Sequence, residues 1–182
     1  MDITSFIETF SDVSFQSPSI GVILCMLLAA VLLLLSGFAS GSEIAFFSLS
    51  PTDIAELDPE HNAKDQNIDL LCTDSERTLA TILITNNFVN VTIIMLCNFI
   101  FASMIKFGPK AVWLEFLSLT VLLTFLLLLF GEIMPKVYSR QNSLKFCRFA
   151  VSGVLFLRKL FWPFETVLIK SGVFAEKVVQ KK

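Results

Sequence analysis

Charge is scarce in this chain. Only 16% of the residues are Asp, Glu, Lys or Arg, 54% are hydrophobic and the mean hydropathy is +0.73. A soluble domain carries about a quarter charged residues, so the shortage excludes an ordinary soluble fold. Lys and Arg are missing altogether before Lys64. The opening MDITSFIETF therefore has no basic n-region, and no cleavable signal peptide is expected. His61 is the one histidine and lies in polar sequence, which excludes a zinc or soft-metal centre. No two of Cys25, Cys72, Cys97 and Cys147 form a CxxC pair; three lie in apolar sequence and read as buried free thiols. A glycine-rich phosphate loop is absent, and no nucleophile, histidine or cofactor motif accompanies the acids. No enzyme is expected.

What the chain has is length in its apolar runs. A bilayer crossing takes about 20 residues, and three stretches qualify, at about 20–49, 79–105 and 111–134. The expected fold is an all-α membrane protein with three transmembrane helices plus cytoplasmic juxtamembrane amphipathic helices. KFGPK at 106–110 reads as a tight turn, making the second and third spans antiparallel neighbours. Ten of the fourteen Lys and Arg lie at or beyond Lys136. The positive-inside rule then puts the tail in the cytoplasm and residues 1–19 outside the cell. Such a basic end indicates the membrane's cytoplasmic face rather than nucleic acid, and the plasma (inner) membrane is the expected location.

The connector after the first span carries eight acids and two bases between Ser50 and Thr78. Ser50-Pro51 reads as an N-cap with proline in the first turn, opening a juxtamembrane helix within about 51–72. Thr73-Asp74-Ser75-Glu76 reads as a capping box at the start of the second span. Past Lys136, the apolar run 149–157 is bracketed by Arg148, Arg158 and Lys159 and is too short to cross. Two amphipathic helices at the interface, within about 143–175, are expected there, with 176–182 as the tail. A fourth span through Ile169 would bury Arg158 and Lys159 at mid-depth.

Each span also holds groups that lipid disfavours. The third reads LLLLFGEIMPK over Leu126–Lys136. Glu132 there costs several kcal/mol unless partnered, and Pro135 has no N–H for the Gly131 carbonyl four residues back. The first span contains Ser36, Gly37, Ser40, Gly41, Ser42 and Glu43. Close helix packing explains its glycines but leaves Glu43 unaccounted for. The second contains Asn86, Asn87 and Asn90, with Asn90 on the face of both others. At about 1.5 Å of rise per residue, Ser40 lies roughly 30 Å, Glu132 roughly 32 Å and the asparagines roughly 22–28 Å from their outer ends. The three clusters share a level. A carboxylate, amide oxygens, a hydroxyl and a freed carbonyl are hard donors suited to Mg²⁺ or Ca²⁺, and helix breaks are where many transporters bind ions.

The blocks FASGSEIAFFSLS (38–50), TLATILITNNFVNV (78–91) and LLFGEIMPKVYSRQN (128–142) resemble the DUF21 transmembrane domain of the CorC/CNNM magnesium transporters, in order and spacing. The likeness extends from about Ile20 to Ile169, and the N-terminal stretch is similar to the gliding-motility-associated branch in Bacteroidota. The resemblance implies a homodimer and one dehydrated Mg²⁺ per subunit, exported by alternating access with Na⁺ as the proposed counter-ion. Carried over by motif, the ligands are Ser40, Asn90, Glu132 and the Gly131 carbonyl, with Asn86 or Asn87 nearby. Glu43 and Lys136 would shape the site or the ion path, and the first-helix ligand stays open among Ser36, Ser40 and Ser42. Family members usually continue into a nucleotide-binding CBS pair, which residues up to Lys182 do not include. A membrane-embedded Mg²⁺ sensor or assembly subunit without net flux is the alternative function.

Overall fold

The computed structural model describes residues 13–107 and 112–179. Residues 1–12 of the segment expected outside the cell, residues 108–111 in and after the expected KFGPK turn, and residues 180–182 of the expected tail lie outside the described residues. In chain order the elements are a short strand β1 (Val13–Phe15), α1 (Ile20–Phe47), α2 (Pro51–Ala55), α3 (Ala63–Thr73), α4 (Ser75–Met104), β2 (Ile105–Phe107), α5 (Val112–Leu126), a π-helical segment (Leu127–Ile133), α6 (Met134–Gln141) and α7 (Ser143–Val179). Among the described residues, three stretches are long and apolar enough to cross a membrane: Ile20–Phe47, Ser75–Met104 and Glu115–Gln141. The protein is an all-α membrane protein, with one small ladder among the described residues. In it β1 runs antiparallel to β2, with Ser14 opposite Lys106, so the chain entering α1 is tied to the chain leaving α4.

Burial along α1 changes halfway. Leu24, Leu27, Leu28, Val31 and Leu34 are exposed, whereas Ser36, Gly37, Ala39, Ser40, Gly41, Ser42, Ala45 and Phe46 are buried. Large apolar side chains can face hydrocarbon, while small residues let a neighbouring backbone approach. The core follows from this. It gathers Ala39, Ala45, Phe46, Ile68, Leu71, Ile82, Cys147, Ala150, Val151 and Val154 at the end of the bundle away from the strands, where α3 and α7 pack against the ends of α1 and α4. Burial pushes the Cys147 thiol up to about 12, making it an inert core group.

Local signals decide the ends of the elements. Ser50 caps α2, accepting from the Asp53 amide at 3.1 Å while Asp53 accepts from the Ser50 amide at 2.8 Å. The predicted capping box at Thr73–Glu76 does not form. Asp74 is the N-cap of α4 and makes no side-chain bond to the helix. Its carboxylate turns instead to Arg158 of α7, with Arg77 at 3.8 Å; an ionic partner outweighs a neutral amide donor. The two interfacial helices expected after Lys136 are a single helix, with Pro163 inside it. One missing bond does not end a 37-residue helix.

Candidate cation site

The third span is where regular geometry gives way. From Leu127 to Ile133 the backbone bonds close five residues back, as the Met134 amide does on the Leu129 carbonyl. Pro135 follows at once. It has no N–H to offer, either to Phe130 five residues back or to Gly131 four back, so two successive carbonyls lose that donor. Such widened turns concentrate at functional sites. The sequence displays the proline but not the extra residue in the turn.

Glycines bring this turn against α1. A Cβ at Gly37 would sit 3.0 Å from Pro135 Cγ and 3.1 Å from the Phe130 carbonyl oxygen. A Cβ at Gly131 would sit 3.0 Å from Ser36 Oγ. At either position a side chain would crowd its neighbour by a few tenths of an ångström, which is the close approach that the small residues foreshadow.

Ser36 is the point where the three spans meet. Its hydroxyl lies 2.6 Å from Asn90 Oδ1 and 3.1 Å from Asn86 Oδ1. The Ser40 hydroxyl reaches the same Asn86 oxygen more loosely, at 3.4 Å. Both serines are completely buried. Four oxygens thus converge with only two hydroxyl hydrogens among them, beside the Gly131 backbone. Ser42 is equally buried, but its hydroxyl donates to the Phe38 carbonyl of its own helix at 2.7 Å. Of the three serines left open by sequence, two face the asparagines. Asn87 is exposed, and no hydrogen bond joins it to the serines among the described residues.

Glu132 is partly buried next to Gly131 and has no ion pair among the described residues. Glu43, one turn beyond Ser40, pairs with Lys136 of α6 at 3.1 Å. No group of three or more His, Cys, Asp and Glu able to hold a metal occurs among the described residues. The serine and asparagine oxygens that converge here are neutral hard donors.

Sequence reading missed the ionic frame outside the spans. The Arg148 guanidinium grips Asp65 through Nε at 2.8 Å and Nη2 at 2.9 Å, with Glu56 at 3.4 Å. That fork holds the Asp65 carboxyl below the usual carboxylate range against the opposing effect of burial. The available signal was the pairing of an acid-rich connector with a base-rich tail.

Comparison with known proteins covers the same blocks. Residues 27–181 match the family model for the cyclin M transmembrane N-terminal domain, CNNM. A UPF0053 protein of Haemophilus influenzae is 29% identical over 150 residues, which is 82% of this chain and 34% of that protein. The metal transporter cnnm-4 of Caenorhabditis elegans is 34% identical over 115 residues, 60% of this chain and 23% of its own length. The chain spans about a third or less of the curated relatives it matches.

Proposed function

This chain belongs to the CNNM family, whose model is the cyclin M transmembrane N-terminal domain, and we propose that it is a magnesium transporter core binding a dehydrated Mg²⁺ where its three spans meet. The observation that carries this reading is the Ser36 hydroxyl within 2.6 and 3.1 Å of two asparagine oxygens. Four oxygens share only two hydroxyl hydrogens here, so lone pairs are left over in a partly buried setting. A small doubly charged ion supplies what they lack. Ser36, Ser40, Asn86, Asn90 and the Gly131 carbonyl would stand in for water, and Glu132 would supply the neutralising charge. A single carboxylate keeps the hold loose enough for release. Export by alternating access, coupled to Na⁺ entry, in a homodimer with the basic tail in the cytoplasm, completes the proposal. The naming of the Caenorhabditis elegans relative as a metal transporter supports it.

The test uses the purified chain in detergent and in sealed liposomes. Mg²⁺ at a hundredfold its Kd stabilises a one-site protein by about 2.7 kcal/mol, or roughly 5–10 °C in melting temperature at this size. Glu132→Ala should abolish that protection together with Mg²⁺ flux into liposomes. Flux persisting in the variant would exclude the assigned site. Mg²⁺ protection without flux in the unmodified chain would replace transport by sensing.

A further inference from the structure

The ion pair between α1 and α6 lies in line with the oxygen cluster. Ser36, Ser40 and Glu43 are spaced by four and three residues, so they share one face of α1. Glu43 is about 4.5 Å along the helix from Ser40, and Lys136 follows Glu132 by about 6 Å on the same scale. Glu43 Oε2 and Lys136 Nζ meet at 3.1 Å, the side chains 25% and 34% exposed. The pair therefore stands one helical turn beyond Ser40 on α1 and beyond Glu132 on the third span, on the side of the bundle where α7 begins, and water reaches it.

Three charged groups stand within about one helical turn of this level. Glu43 and Glu132 are two carboxylates, and Lys136 is one ammonium. Their sum is one negative charge. Without Lys136 it would be two, equal and opposite to a divalent cation; without Glu43 it would be zero. The affinity of oxygen sites for divalent ions follows the number of negative ligands, and partly buried charges about one helical turn apart still act on one another.

We propose that the Glu43–Lys136 pair sets the charge with which this site meets its ion: Lys136 cancels Glu43, leaving Glu132 to hold a divalent cation that can still depart. The inference rests on the Mg²⁺-binding reading and adds a role that packing alone does not give. A purely structural strut would also join α1 to α6, but removing either end of a strut weakens the protein in the same direction.

Calorimetric titration of MgCl₂ into the detergent-purified chain separates the two. Lys136→Met should tighten Mg²⁺ binding by on the order of tenfold or more, and Glu43→Gln should weaken it comparably. The double variant, with the net charge restored, should return to within about threefold of the unmodified chain. Lys136→Arg should bind as the unmodified chain does. In liposomes, Lys136→Met should carry less Mg²⁺ despite binding it more tightly, because release slows. Should Lys136→Met fail to fold, the decision passes to Glu43→Gln with and without the second substitution. Affinities that stay put, or fall together, in folded variants overturn the charge-setting role while leaving Mg²⁺ binding intact. No Mg²⁺ binding by the unmodified chain overturns the functional reading and this inference with it.

Discussion

At the scale of single residues, one hydroxyl organises the site. Ser36 has one hydrogen and two amide oxygens within hydrogen-bond distance, so Ser36→Ala strips both oxygens of their nearest donor. The expected cost is about 1–3 kcal/mol, with loss of the Mg²⁺-dependent rise in melting temperature. Ser42→Ala should melt nearly as the unmodified chain does and keep the rise, because that hydroxyl only bonds back to its own helix. Thermal melts with and without Mg²⁺ check both, and an equal loss in the two variants would remove Ser36 from its central place. The sequence narrows the choice to Ser36, Ser40 and Ser42. It cannot go further, because a buried helical serine either reaches outward or donates to the carbonyl four residues back, and its neighbours decide which.

Among the elements, the spans and the cap of α2 follow from local composition, and the rest follows from partners distant in sequence. Hydropathy places the three spans because the bilayer demands length. It does not reveal the five-residue register of Leu127–Ile133, which comes from the fit of Gly131 and Pro135 to Ser36 and Gly37 on α1. The capping box failed for a similar reason: Asp74 finds Arg158, 84 residues away. The Arg148–Asp65 fork shows how such a long-range tie fixes α3 to α7. Asp65 is 1% exposed, so Asp65→Ala leaves a guanidinium without its main acid, at a cost of about 3 kcal/mol, the low end for buried pairs because Arg148 is partly exposed. The sign of its pH dependence follows from the lowered carboxyl. Its stabilisation is fully present above the unfolded value of about 3.9 and disappears as pH falls through the lower folded value. Melting temperatures measured from pH 6 down to pH 3 should fall in the unmodified chain and fall less steeply in Asp65→Asn.

For the molecule as a whole, three crossings would put Ser14 and Lys145 on opposite sides of the membrane. In a cysteine-free background, Ser14→Cys and Lys145→Cys should react with a membrane-impermeant maleimide from opposite faces of oriented vesicles. Labelling of both from one face would require an even number of crossings. The strand ladder adds a mechanical consequence. Val13–Phe15 grips Ile105–Phe107, so the helix bearing the serines and the helix bearing the asparagines are fastened to each other at one extremity, like the arms of tweezers. Any parting of the two must grow toward their opposite ends, where Glu43 and Asp74 stand and where their ties to Lys136 and Arg158 would have to yield.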